Sequence, residues 1–599
     1  MTRTTFPSNL IETYIYDSLG NLISKTDRKN QTISYTYDAL RRLTRKQYPD
    51  ATQTNYTFDA ASRLTQVTDP TGTYQYTYDN MGRLTQTSTV YSFITGKTFT
   101  VGYAWDAASN LTSMTDPQSG STTYTYDTLN RLATLKNPQR DQFTFTYDAL
   151  GRRTQLARPN SVNTNYQYDP LSRVTSLLHQ YTTNKGATTT LDGAQYSYDA
   201  AGNRLSKTDK LTNIVSNYAY DPLYELTTVT QGPNTTESYS YDAVGNRLSS
   251  LNVPSYTYNA SNELTAQTGV TDAYDNNGNT TSKTDSTGTT TYSWDFENRL
   301  TSVTLPGSGG TVTFKYDPFG RRIYKSSSSG TSIYAYDGDT LIEETNSSGA
   351  VVARYTQGGN IDEPLAMLRS ATASYYHADG LGSVTSLSNT AGTLAQTYTF
   401  DSFGKQTAST GSLINPFRYT GRESDPETGL YYYRARYYDP SAGRFMSEDP
   451  TGFKGGVNFY PYAANDPTDQ TDPMGFDSDS QFCRRLREKI DNVRQNIQRR
   501  IGQLDENPDN LPESCPGDKA NPGLSRAGHR FLINKDKALL AALKATYAWR
   551  CKDWPPIPPI PVPVLSPQQQ RQLATNTAVT VVVGVGVVVV VIALSPVGL

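Results

Sequence analysis

Two carboxylates set in matching frames are the residues of this chain best placed to do chemistry. They are Asp449 in Asp449-Pro450-Thr451-Gly452 and Asp472 in Asp472-Pro473-Met474-Gly475. Proline fixes φ and glycine permits a tight reversal, so each frame can present its carboxylate from a rigid corner. Two aspartates brought close together share one proton: one acts as base toward water, the other as acid toward a carbonyl. That is aspartic-protease chemistry, and it sets no condition on separation in sequence. The same frames also serve as plain turns, and the residues alone leave both readings open. Asp425-Pro426, Asp439-Pro440 and Asp466-Pro467 lack the closing glycine and read as turns.

The other candidates are weaker. His377 and Asp379, in YYHADGLGS, could be taken as a catalytic pair, but a hairpin with its own turn accounts for them more simply. His529 is the only histidine beyond residue 476 and has no acidic cluster or second ligand beside it. Cys483, Cys515 and Cys551 are odd in number and irregular in spacing, so they form neither a disulfide framework nor a metal site. No cofactor motif is present.

The elements that must position Asp449 and Asp472 fall into three stretches. Up to about residue 410 an aromatic-Asp pair recurs, as at Tyr16-Asp17, Tyr37-Asp38, Phe58-Asp59 and Tyr78-Asp79, with many steps of 20 to 22 residues. The fuller unit is seen in TYQYTYDNMGRLTQTS (Thr73 to Ser88). Its YxY half alternates like a strand with one buried face, Asp followed by Gly or Asn is turn chemistry, and RLTxxT is the returning strand. Each unit is thus a β-hairpin that cannot bury its face alone and must stack on its neighbours. The aspartates read as turn formers, not as calcium or catalytic carboxylates. Spacing stretches near Thr87–Thr100, Leu178–Gly193 and Thr340–Gln396, and longer loops are expected there.

The second stretch, residues 411–476, carries both frames and the aromatic run LYYYRARYYDP (Leu430 to Pro440), which reads as core packing. From Phe417 to Phe476 it resembles the core that closes Rhs/YD-repeat proteins, hollow β-shells that include the C components of insecticidal toxin complexes. The resemblance implies that Asp449 and Asp472 form an aspartyl-protease-like pair and that Arg444 holds a carboxylate in its charged form. It also implies a cut after Phe476, where Phe stands in place of the family's Leu. The array would then wind as a spiral β-sheet into a shell or partial cage; periodicity alone equally allows an open solenoid.

The third stretch is different in composition. Residues 477–554 predict two helices, Cys483 to Leu504 with apolar residues spaced by 3 and 4, and Asn534 to Trp554. Residues 555–570 are a stiff Pro-rich spacer, and 571–599 hold the uncharged run Ala578 to Leu594, expected to insert in a membrane. Its valine content would also suit a strand.

Composition agrees with a β-rich chain. The 599 residues include 45 Tyr, only 18% are charged, and the net charge of −2 gives no case for nucleic acid as a partner. The N-terminus has no apolar signal region, which predicts export by another route or a chain that is part of a longer reading frame. The expected fold is mainly β, a hairpin spiral with a small helical tail. The expected function is a shell that cuts itself to free a C-terminal passenger, a toxin acting on membranes in bacterial competition. Its partners would be that passenger, an immunity protein and a delivery apparatus. The alternative is a surface protein that binds carbohydrate and is anchored by its C-terminal segment.

Overall fold

The computed structural model describes residues 2–200 and 202–476, and the backbone of 579–584 and 587–592. The repeat is a hairpin, and its recurring letters are used in stitching hairpins together. In the unit built from strands Gly72–Tyr78 and Leu84–Tyr91, the Asp79 carboxylate accepts the backbone N–H groups of Met81 and Arg83, both at 2.9 Å. Gly82 supplies the positive φ of 81° that closes the turn. The Arg83 side chain then grips the other Asp79 oxygen at 2.7 Å and reaches forward to the carbonyl of Asp106 in the next unit. Tyr78 reaches backward, its hydroxyl donating to the carbonyl of Leu64 at 2.8 Å. The same stitch recurs at Arg42 and Tyr37, Arg131 and Tyr126, and Arg152 and Tyr147. The aspartate of such a unit is therefore occupied by its own turn, as the spacing predicted.

From Arg3–Thr5 to Arg247–Ser250 the hairpins form one 23-stranded antiparallel ribbon, and from Tyr256–Tyr258 to Gln406–Thr410 a second ribbon of 16 strands. Each strand pairs with the next in sequence. Neither ribbon closes on itself: Arg3–Thr5 pairs with Ile11–Tyr16 and Gln406–Thr410 with Leu394–Phe400, with no further partner among the described residues. The shell is open. The second ribbon runs alongside the first, burying Val67, Tyr74 and Phe99 against Ile323 and Ile333, and Phe143 and Leu156 against Leu365 and Tyr375. Further ion pairs tie the two, such as Lys46 to Glu297 at 2.8 Å.

Residues 411–476 add a four-stranded sheet, Glu423–Asp425, Leu430–Tyr433, Arg436–Asp439 and Arg444–Phe445. Its tyrosines pack as the sequence predicted: Tyr431, Tyr433, Tyr438 and Tyr462 make one buried cluster with Phe445. Their hydroxyls and neighbouring amides bond to hairpin turns of both ribbons. Tyr438 donates to Phe403 O at 2.6 Å, Tyr460 to Gly278 O at 2.9 Å, and Asn465 to Gly245 O at 2.8 Å. The core block is thus seated on turns that lie far apart in the chain.

Three expectations change. Leu178–Gly193 is not a long loop: the extra residues lengthen the strands Val174–Thr182 and Thr188–Tyr198, which stay paired through a bulge at His179/Gln180. Thr340–Gln396 is likewise unbroken hairpin, six strands from Thr340–Thr345 to Leu394–Phe400. In the tail, Val579–Gly584 and Val587–Ile592 pair as an antiparallel hairpin, where a membrane-spanning segment was expected. β-branched valine favours the extended backbone, and a run whose one polar side chain is Thr580 carries no period to separate strand from helix. No helix among the described residues is long and apolar enough to cross a membrane. The two helices expected in 477–554 and the Pro-rich spacer lie outside the described residues. The chain divides into compact units Met1–Asp477 and Ser478–Leu599.

Candidate active site

The two DPxG frames fold into the same device. In the first, Asp449 Oδ1 accepts the N–H of Thr451 at 2.7 Å and its hydroxyl at 2.6 Å, while Gly452 turns the chain with φ 61°. In the second, Asp472 Oδ1 accepts the N–H of Phe476 at 2.9 Å, and Gly475 turns the chain with φ 68°. Each turn engages one carboxylate oxygen and leaves the other to tertiary contact.

Both remaining oxygens meet one nitrogen. Arg436 Nη2 stands 3.2 Å from Asp449 Oδ2 and 3.3 Å from Asp472 Oδ2, with all three side chains 2 to 3% exposed. The rest of the guanidinium is spent on the same two segments. Nε donates to Gly475 O at 2.6 Å and Nη1 to Phe459 O at 2.8 Å, and the plane stacks 3.6 Å from the centre of the Phe445 ring. Phe459 O also accepts the N–H of Asp449 at 3.1 Å, so one carbonyl ties the arginine to the first frame. Asp449 Oδ2 accepts no conventional hydrogen bond in return; charge alone holds it. The folded chain therefore brings two aspartates 23 positions apart onto one guanidinium.

The segment leading to Phe476 is clamped onto the bend between Leu430–Tyr433 and Arg436–Asp439. Ala435 N donates to Met474 O at 3.1 Å, Arg434 donates to Pro473 O, and Arg434 is itself held by Asp362 at 2.7 Å. Gly475 lies so close that a Cβ there would stand 2.3 Å from Tyr433 O. The carboxylate of Asp472 and the fork of Arg436 thus both bond to the peptide groups just before the Phe476–Asp477 bond; residues beyond Phe476 lie outside the described part. Tyr462, packed beside this site, has its hydroxyl pushed up to about 12 by burial.

Arg444 stands elsewhere. It lies between the rings of Tyr258 and Tyr460 and donates to Asn262 O at 2.6 Å. The arginine on the aspartates is Arg436, which reading LYYYRARYYDP as plain core packing passes over. The signal was present: a guanidinium inside a run of tyrosines read as core needs acceptors there, and a carboxylate is the strongest of them.

His377 and Asp379 do not form a pair. His377 Nε2 bonds Ser388 Oγ at 2.8 Å and its ring lies 4.8 Å from that of His179, whereas Asp379 caps its own hairpin turn and pairs with Lys207 at 3.0 Å. Burial pushes His179 down to about 3 and His377 in the same direction, so both are neutral packing groups. Among the described residues no cluster of His, Cys, Asp and Glu is arranged to hold a metal.

Comparison with known proteins places this geometry in context. The Teneurin YD-shell family matches residues 211–468, and the RHS repeat family matches residues 16–53, 58–91 and 105–142. A tRNA3(Ser)-specific nuclease, WapA of Bacillus spizizenii, is 33% identical over 229 residues, 37% of this chain and 10% of the relative. The toxin protein Tse5 of Pseudomonas aeruginosa is 41% identical over 108 residues, 18% of this chain and 8% of the relative. The matched stretches therefore span about a tenth of the length of these relatives. Among solved structures, TcdB2-TccC3 superposes over 78% of this chain and 28% of its own, with TM-score 0.67 and 19% identity, a likeness of fold.

Proposed function

The chain belongs to the Rhs/YD-repeat family of β-shell proteins, and from that premise we propose that it cuts its own backbone after Phe476. The cut frees residues 477–599 as a toxic passenger. The observation that carries this reading is the shared contact of Asp449 and Asp472 with Arg436, whose Nε holds the carbonyl of Gly475. One carboxylate takes a proton from the attacking water while the other gives its own to the carbonyl oxygen of Phe476; as the resulting diol collapses, the first passes its proton to the leaving nitrogen and the second recovers one from the diol hydroxyl. Arg436 positions both and offsets the charge they would otherwise impose on each other. The clamp on residues 473–476 presents the bond in one orientation, which lowers the entropic cost of the step.

The relatives' names, a tRNA nuclease and a toxin, support a passenger that harms a recipient cell and acts outside the producer. A delivery apparatus and an immunity partner follow from that logic. Membrane action of the passenger rests on the apolar run Ala578 to Leu594. Its six-residue strands are shorter than the roughly 9 to 11 that cross a bilayer as a barrel, so the run would insert only in another form or assembly. The test is growth of a host producing the full chain. Wild type should arrest growth and Asp472→Asn should not; equal growth of both would remove the toxic-passenger reading.

A further inference from the structure

Residue 448, next to the first aspartate, is held from the far end of the fold. Arg28, in the turn after strand Leu22–Thr26 of the first ribbon, makes a two-pronged contact with Glu448: Nη1 to Oε1 at 3.0 Å and Nη2 to Oε2 at 2.6 Å. Its side chain is 3% exposed and its plane lies 4.0 Å from the centre of the Phe6 ring. Phe6 in turn packs against Phe453 and Phe459, at 5.7 and 6.4 Å, and these two flank the Asp449 loop. Phe459 is the residue whose carbonyl receives both Asp449 N and Arg436.

The second ribbon closes the same junction. Arg28 Nη2 donates to Asn277 O, Asn277 Nδ2 donates to Asp27 at 2.7 Å, and Lys29 pairs with Asp275 at 3.1 Å. Gly278 leaves room for Glu448; a Cβ there would stand 2.6 Å from Glu448 Oε1. Three parts of the chain separated by hundreds of residues therefore meet on the residue before Asp449.

We propose that Arg28 and Glu448 are positioning residues that make self-cleavage conditional on ribbon assembly: Asp449 reaches Arg436 only once the first hairpins have docked against the second ribbon and the core block. The inference rests on the cleavage reading above. Without Arg28, Glu448 is a half-buried carboxylate with its partner gone, and the chain relieves it by moving the 448–453 corner toward water. Asp449 moves with it. A self-cutting shell gains from this order, because the passenger would be severed only from an assembled ribbon.

The test follows the rate at which freshly folded full-length chain becomes two pieces. Arg28→Ala and Glu448→Ala should each slow cleavage by about tenfold to a hundredfold, the scale of a misplacement near 1 Å. The double variant should be no slower than the slower single one, and Arg28→Lys should retain more rate than Arg28→Ala. Lys46→Ala, which removes a ribbon-to-ribbon ion pair away from the core, should cleave within twofold of wild type. Where Arg28→Ala does not fold, Arg28→Lys and Glu448→Ala carry the comparison. Arg28→Ala cutting at the wild-type rate while Asp449→Asn stays whole would overturn the clamp alone. Lys46→Ala slowing as much as Arg28→Ala would also overturn it, as general loosening. A wild type as uncut as Asp449→Asn would overturn the clamp together with the cleavage reading.

Discussion

Arg436 and Gly475 are joined by a 2.6 Å hydrogen bond from Nε to the carbonyl, while the same guanidinium faces Asp449 and Asp472. One side chain thus registers the two acids against the segment proposed to be cut. Arg436→Ala should stop cleavage and, by leaving two buried carboxylates uncompensated, cost on the order of 3 to 5 kcal/mol of stability. Arg436→Lys keeps the charge but loses the planar fork, so it should recover much of the stability and little of the rate. Cleavage time courses beside urea midpoints separate the two effects.

Gly475 tests the clamp without touching a charge. Its φ of 68° and the 2.3 Å approach to Tyr433 O leave no room for a methyl group. Gly475→Ala should displace residues 473–476 and lower the cleavage rate by about tenfold or more. Gly452→Ala, with φ 61° and nothing within 4 Å, carries only the backbone penalty of roughly 1 kcal/mol and should cut more nearly as wild type.

The array's stitch has a measurable worth. Tyr147 donates its hydroxyl to Leu132 O at 2.9 Å, one unit back. Tyr147→Phe leaves that carbonyl without its partner and should cost about 1 kcal/mol, read as a lowered unfolding midpoint. Thr146→Ala, on the exposed face of the same strand, should stay within roughly 0.5 kcal/mol of wild type.

Buried acids make the shell sensitive to alkali. Burial, with Asp116 adding repulsion, pushes Glu343 up to about 7 from its ordinary 4.5; Asp401 and Asp466 are likewise pushed up to about 7 by burial. A raised folded value means that folding favours the neutral form, so this contribution is full below 4.5 and is lost as pH rises through 7. His179 works the other way: pushed down to about 3, it contributes fully above 6.5 and loses that as pH falls. Stability should therefore fall by about 1 kcal/mol for each such carboxylate between pH 6.5 and 8.5, the last part of a loss that begins near 4.5 and the part where His179 no longer changes, and this is read as a lowered melting temperature. Calorimetry of Glu343→Gln should show a shallower drop.

The hairpins were legible because their determinants are local. Asp79, Gly82 and Arg83 satisfy one another within five residues, so the sequence carries the turn intact. The lengthened strands around His179 were not legible, since added residues can extend a ladder or bulge into a loop, and the pairing partner decides. The site was half legible. Asp449 and Asp472 announce themselves by frame, but Arg436 is defined by tertiary contact and Arg28 by a partner 420 residues away. The valine run failed for a different reason, because a segment that is apolar but for Thr580 has no periodicity to read.

The central claim is tested most directly by the intact mass of the purified full-length protein, measured beside Asp449→Asn and Asp472→Asn. The account predicts two pieces for the wild type, parted between Phe476 and Asp477, and a single whole chain for each variant. A wild type that stays whole, or variants that still part at that bond, would contradict it.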